Sequence, residues 1–144
     1  MTDAGADALR LLLRRAGHEL RNAQNAAAVN LEVVRSRVAA GKTNAESLQS
    51  FADNAAAGLE ASATLAEALV ALCSAVTSSL AAARVRILEQ SSNGVVIELR
   101  MTEADGVSLV GRVSALAERA GFGVEPRQSG VILRIPPDNE TNRA

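Results

Sequence analysis

Aromatic side chains are nearly missing from this chain of 144 residues, which contains two phenylalanines and neither tyrosine nor tryptophan. The hydrophobic residues, 48% of the chain, are therefore mostly alanine, leucine and valine. Small side chains allow helices to approach closely, and alanine has the highest intrinsic helix propensity. The composition therefore favours packed helices over a β-sandwich.

An excess of basic charge is also missing. The chain has 15 Lys and Arg residues against 16 Asp and Glu residues, and its net charge is −1. It has no run of basic side chains and no group of aromatic side chains on which bases could stack. Proteins that bind nucleic acids rely on such features, so we do not expect a nucleic-acid partner.

Cysteine and histidine occur once each, as Cys73 and His18. Cys73 can form no disulfide within the chain, and its alanine-rich surroundings are typical of a small buried hydrophobic residue. His18 and Glu19 match the start of the zinc-protease helix motif, but Asn22 stands where that motif needs its second histidine. We therefore expect no metal and no cofactor bound by the chain itself.

Long apolar runs and a signal peptide are lacking too. Polar residues interrupt the apolar stretches before the roughly 18 residues that a membrane span requires, and the N-terminus has no signal-peptide pattern. We expect a cytoplasmic protein without a membrane partner, either whole or part of a longer chain. A monomer of this size buries only about two thirds of its unfolded surface, so a partner could supply the rest.

Apolar residues at spacings of three and four predict one long helix from about Leu9. This stripe consists of Leu9, Leu13, Ala16, Leu20, Ala23, Ala27, Leu31, Val34 and Val38. Gly41 ends the helix, and Thr43 with Glu46 has the pattern of a capping box that starts the next one. Because the link is short, the second helix must return antiparallel to the first.

A second apolar stripe predicts a helix that continues to about Ala83. It consists of Leu48, Phe51, Ala55, Leu59, Ser62, Leu65, Leu69, Leu72, Val76 and Leu80. We expect nothing else in the chain to be long enough to cover the apolar face of this hairpin. The sequence therefore predicts a homodimer whose core is a four-helix bundle. The alternative is a monomeric hairpin capped by the C-terminal segment.

Charged residues at multiples of seven form one basic and one acidic stripe. The basic stripe is Arg14, Arg21, Arg35 and Lys42, and the acidic stripe is Glu46, Asp53, Glu60 and Glu67. Folding about the turn would bring three pairs level: Lys42 with Glu46, Arg35 with Asp53, and Arg21 with Glu67. Exposed pairs contribute only about 0 to 1 kcal/mol each, so they would set register more than stability. The alternative is two solvated faces that never meet.

After Ala83 the pattern changes to alternation of apolar and polar residues. Strands are predicted at residues 85–87 and 95–101, joined by the hairpin signal Asn93-Gly94. A helix marked by apolar residues over 109–120, opened near Asp105 and closed by Gly121, precedes two further strands at residues 122–125 and 131–135. The chain is thus predicted to be α+β, with a helical hairpin over residues 1–83, a small β-β-α-β-β unit over residues 84–137, and a disordered tail over residues 138–144.

His18 is the leading candidate for chemistry, because the stripe places Ala16 and Leu20 at the helix seam and therefore turns His18 towards solvent. A neutral imidazole is a competent nucleophile towards phosphorus. Glu19 could hold or take the proton of the other ring nitrogen. Asn22, one turn further along, could orient a phosphoryl oxygen or a water molecule.

These residues resemble the dimerisation and histidine-phosphotransfer domain of two-component histidine kinases, whose first helix carries His-Glu-Leu-Arg-Asn-Pro. The match here covers residues 18–22, His-Glu-Leu-Arg-Asn. The resemblance implies that His18 accepts the phosphoryl group, that Glu19 assists as acid or base, and that Asn22 takes part in phosphatase chemistry. Ala23 replaces the proline, so the kink that proline would cause is not expected.

The C-terminal unit resembles a remnant of the kinase ATP-binding domain that lacks the nucleotide-binding parts. The family's adenine loop reads Asp-x-Gly-x-Gly, whereas residues 101–107 read Met-Thr-Glu-Ala-Asp-Gly-Val. No segment remains for the Asn-bearing helix or the glycine-rich lid, and no other phosphate-binding glycine loop occurs. We therefore expect no ATP binding and no ATP-dependent kinase activity.

A bundle that keeps the histidine without a nucleotide site resembles the dimeric histidine phosphotransferases of phosphorelays. The resemblance implies transfer between receiver aspartates through His18, with response-regulator receiver domains and a hybrid histidine kinase as partners. The receiver would supply Mg²⁺. Its docking surface would include Arg21, Asn25, Ala26 and Val29, which could equally be ordinary helix surface.

Two other functions fit the same fold. The protein could act as a phosphatase or decoy for a receiver, with Asn22 positioning water. It could also be a non-catalytic dimeric scaffold, in which His18 has no chemical role.

Overall fold

The computed structural model describes residues 3–138 and has an α+β architecture, as predicted. Three helices and four strands follow one another as α1 (Asp3–Ala39), α2 (Ala45–Ala81), β1 (Val85–Ser91), β2 (Gly94–Arg100), α3 (Glu103–Ala120), β3 (Gly123–Arg127) and β4 (Gly130–Ile135). The two long helices form a hairpin. The strands form one antiparallel sheet whose spatial order, β1-β2-β4-β3, differs from their order along the chain.

The turn between α1 and α2 confirms the predicted stop at Gly41. This glycine has a φ of 72°, and the N–H groups of Gly41 and Lys42 donate to carbonyls of the last turn of α1. The predicted capping box is wrong by one residue. Asn44, rather than Thr43, caps α2, because its side-chain oxygen accepts a hydrogen bond from the N–H of Ser47 at 3.2 Å.

Small residues allow α1 and α2 to pack closely. Ala27 and Ala55 are almost completely buried, and a methyl group added at Gly58 would lie 3.1 Å from Cβ of Ala27.

The predicted charge pairs between the helices are not formed. Arg35 instead binds Glu32 of its own helix at 2.6 Å, since residues three apart on a helix are neighbours.

The half of the hairpin away from the turn between α1 and α2, which we call its base, shares one hydrophobic core with α3 and the sheet. Leu12, Leu72, Val113, Leu116 and Leu133 are completely buried in this core. The expectation that nothing in the chain covers the hairpin is therefore wrong for its base, because α3 and the sheet pack against both long helices. The half next to the turn, which we call the far half, stays uncovered. There Leu31, Val38 and Leu59 of the predicted stripes are 49%, 53% and 53% exposed.

Helix α2 is more apolar than the sequence analysis assumed. By length and composition alone it could cross a membrane, because an 18-residue apolar window within it has a mean hydropathy of 1.5 and no charged residue lies between Glu67 and Arg84. One such helix is weak evidence for a membrane span, since core helices of soluble proteins have the same properties. In this protein 33% of the apolar window is buried against other residues of the chain.

Candidate functional site

His18 lies on the exposed face of α1, as predicted. Ala16 is completely buried and Leu20 packs against the core, so the ring between them in sequence points away from the seam. Helix α1 continues without interruption through Ala23, whose side chain is 4% exposed. The imidazole is therefore presented on one continuous helix, without the break that a proline would produce.

Glu19 does not bind His18 in this structure. Its carboxylate lies 3.8 Å from Nε of Arg119 on α3, and its side chain is 24% exposed. Successive residues on a helix point in different directions, so Glu19 projects towards α3 while His18 projects towards solvent. Among residues 3–138, no hydrogen bond joins the imidazole to Glu19 or to Asn22.

The remaining predicted site residues form an exposed strip along α1. Its members are Arg21, Asn22, Asn25, Ala26 and Val29, and Val29 is 64% exposed. Positions 18, 22, 25 and 29 follow one helical face, and the strip extends about 16 Å from His18 towards the turn. The structure thus places the predicted docking residues beside the histidine on a surface that a partner can reach.

Two arginines that the sequence analysis did not assign to the site lie one turn before His18. Arg14, Arg15, His18, Leu11 and Asp138 line an open groove of about 410 Å³. Arg14 Nη2 binds the Asp138 carboxylate at 2.7 Å, whereas the sequence pattern predicted Arg14 only as a member of the basic stripe. Its position four residues before His18 is the signal that could have identified it.

A C-terminal segment passes over α1 beside the histidine. Arg15 donates from Nη1 to the carbonyl oxygen of Pro136 at 2.9 Å and from Nη2 to that of Pro137 at 2.8 Å. Together with the Arg14 to Asp138 contact, these bonds fix residues 136–138 to α1. Asp138 was predicted to begin the disordered tail, and it is held here by Arg14; residues 139–144 lie outside the described part of the chain.

This arrangement suits the binding of an anionic group at His18. The imidazole is open to solvent, and the guanidinium of Arg14 lines the same groove, with planar donors that match a phosphoryl group. The exposed Asn22 side chain lies one turn further along. Within residues 3–138 no group of three or more His, Cys, Asp or Glu side chains could hold a metal ion.

The segment compared with the kinase adenine loop forms part of a helix. Thr102 caps α3 by accepting a hydrogen bond from the N–H of Asp105 at 3.1 Å. Gly106 is buried within the first turns of that helix and faces the carbonyl of Gly130. Residues 103–107 thus serve helix initiation and packing.

Comparison of the chain with models of protein families, with curated proteins and with solved structures finds no match.

Proposed function

We propose that the protein is a histidine phosphotransferase of a two-component phosphorelay, which passes a phosphoryl group between receiver aspartates through His18. The observation that carries the proposal is the position of the single imidazole. It is exposed on the outer face of a long helix, between the Arg14 guanidinium on one side and a strip of exposed residues on the other. The His-Glu-Leu-Arg-Asn sequence at residues 18–22 supports the same function.

The transfer needs no nucleotide and no metal bound by this chain. An imidazole nitrogen of His18 attacks the phosphorus of the receiver's aspartyl phosphate. The N–P bond forms as the O–P bond breaks, the aspartate leaves as a carboxylate, and the proton of the other ring nitrogen passes to solvent. The receiver would supply Mg²⁺ to neutralise charge on the phosphoryl oxygens, and the reverse reaction would load a second receiver.

The uncovered far half of the hairpin supports a homodimer. Leu31 and Val38 belong to the apolar stripe of α1, and Leu59 belongs to that of α2, yet all three are about half exposed in a single chain. A second hairpin would cover them and complete a four-helix bundle. Such pairing would present two copies of His18 on the outside of one cytoplasmic assembly.

A phosphotransfer profile tests the proposal. The full chain is mixed with separately phosphorylated receiver domains, one at a time, and protein-bound phosphate is followed. We expect acid-labile, base-stable phosphate on His18, none in His18→Gln, and none when wild-type protein is incubated with labelled ATP alone. Gln24→Ala, a change at an exposed position of α1 outside the predicted docking residues, should retain the phosphohistidine and so controls for damage to the helix.

Three outcomes would contradict the transfer function. If a receiver loses its phosphate equally fast with wild-type protein and His18→Gln, the protein acts as a phosphatase, and Asn22→Ala should then abolish the effect. If no receiver loses phosphate or gains it, the scaffold function is favoured. Labelling of His18 by ATP alone would show a nucleotide site that the sequence does not predict.

A further inference from the structure

A second groove lies between α2 and α3, beside the ends of β1 and β2. Its volume is about 390 Å³, and it shares no lining residue with the groove at His18. We call it the arginine groove, because Arg84, Arg100 and Arg112 line it from three different parts of the chain. The serines of its walls include Ser78 on α2 and Ser108 on α3.

The backbone fixes where these arginines enter the groove. The N–H of Arg84 donates to the carbonyl of Ser79 at 2.7 Å as the chain leaves α2. The carbonyl of Arg84 then accepts a hydrogen bond from the N–H of Arg100 at 2.9 Å, which places the two arginines side by side. Arg112 reaches the same groove from α3, two turns after Asp105.

The three guanidinium groups lack the carboxylate partners that seven of the thirteen arginines among residues 3–138 have. Within residues 3–138, none of the three forms an ion pair or a side-chain hydrogen bond. Seven other arginines each reach a carboxylate within 4.0 Å: Arg10, Arg14, Arg35, Arg86, Arg119, Arg127 and Arg134. Asp105 is the one carboxylate that lines the groove, which therefore carries a net positive charge.

We propose that the arginine groove binds a small phosphorylated molecule. Guanidinium groups bind phosphate through two parallel hydrogen bonds, and serine hydroxyls can donate to the remaining oxygens. The volume lies in the range of small-molecule sites. Met101 and Leu109 line the same groove and offer apolar contact to the organic part of the ligand. The proposal does not depend on chemistry at His18.

Titration of the full chain with inorganic pyrophosphate and with adenosine monophosphate, followed by NMR of the arginine Nε–H signals, tests this site. We expect saturable shifts at Arg84, Arg100 and Arg112 that weaken as salt is added. The triple variant R84Q/R100Q/R112Q should lose affinity by at least about tenfold, because even one charge-assisted hydrogen bond contributes that much. Asp105→Asn should bind the phosphates more tightly, since it removes the negative charge from the groove.

A matched triple variant, R10Q/R86Q/R127Q, removes the same charge elsewhere and should keep most of the affinity. Equal loss in both triple variants would overturn the proposal, because binding would then reflect overall charge. Shifts spread over all arginines, or no saturable binding of either phosphate, would do so too. An octaglutamate peptide that binds these three arginines while the phosphates do not would assign the groove to an acidic protein segment instead.

Discussion

The Arg14 guanidinium and the Asp138 carboxylate meet at 2.7 Å, although 124 positions separate them in the sequence. The pair lies one helical turn from His18 and closes one side of its groove. A phosphoryl group arriving at His18 would compete with Asp138 for the same guanidinium. Asp138 of the C-terminal segment therefore holds a guanidinium group that, under the proposed function, a phosphoryl group on His18 would bind.

Asp138→Asn should increase the rate at which a small phosphodonor such as phosphoramidate modifies His18. Loss of the carboxylate frees Arg14 for the incoming phosphoryl group, and an exposed pair of about 1 kcal/mol would give up to about a fivefold change. Arg14→Gln should slow the reaction. The initial rate of phosphohistidine formation measures both effects, and Arg10→Gln, which breaks a pair with Asp7, is the control. Equal rates in all four proteins would show that Arg14 does not assist.

Ala83→Gly should stabilise the protein. Ala83 lies in the turn just after α2 with a φ of 55° and is the one residue other than glycine with a positive φ within residues 3–138. A left-handed alanine costs about 1 kcal/mol that glycine does not, so the melting temperature should rise by about 4 °C. Ala57→Gly, on the exposed middle of α2, should instead lower stability by about 0.5 to 1 kcal/mol. Thermal unfolding followed by circular dichroism separates the two.

Gly106→Ala should destabilise the contact between α3 and β4. A Cβ at this position would lie 2.7 Å from the carbonyl oxygen of Gly130, and that backbone cannot yield easily. We expect a loss of about 1 to 3 kcal/mol in the free energy of unfolding, as for other overpacked sites. Gly111→Ala on the same helix meets open space and should gain about 1 kcal/mol from helix propensity. In equilibrium urea unfolding, the midpoint should therefore fall for Gly106→Ala and rise for Gly111→Ala. Shifts in the same direction would contradict the predicted clash at Gly106.

Leu31→Lys should disrupt the proposed homodimer. Leu31 is 49% exposed in the single chain, and a charged group there would be buried by a second hairpin. We expect monomers by light scattering at concentrations where the wild-type protein is dimeric. Val107→Lys replaces a residue of α3 that is 55% exposed and lies outside both stripes, so it should remain dimeric. A monomeric wild-type protein would refute the bundle directly.

The Glu32 and Arg35 pair predicts a small pH effect in α1. Two hydrogen bonds from Arg35 at 2.6 and 3.0 Å, together with its positive charge, lower the pKa of Glu32. Because this pKa is lower in the folded protein, the pair stabilises α1 above the ordinary pKa of glutamate and is lost as pH falls through the lowered value. In Arg35→Gln the carboxyl titration of Glu32, followed by NMR, should move to higher pH. An unchanged midpoint would show that the pair does not form in solution.

Much of the fold could be predicted from the sequence, because its signals are local. The spacing of apolar residues identified both long helices, and Gly41 and Gly121 marked two helix ends through their left-handed backbone. The Asn93-Gly94 signal located the first hairpin of the sheet. The exposure of His18 followed from the burial of Ala16, since both positions belong to one helical period.

The sequence by itself therefore determined which segments are helices and strands, and that the single imidazole faces outwards. Only the tertiary structure decided that β4 lies between β2 and β3, that Glu19 contacts Arg119 instead of His18, and that Arg14 and Arg15 hold the C-terminal segment. The physical reason is the distance along the sequence between the residues that interact. Periodicity and caps depend on residues a few positions apart, whereas these contacts join distant segments that meet only when the shared core brings α1, α3 and the sheet together.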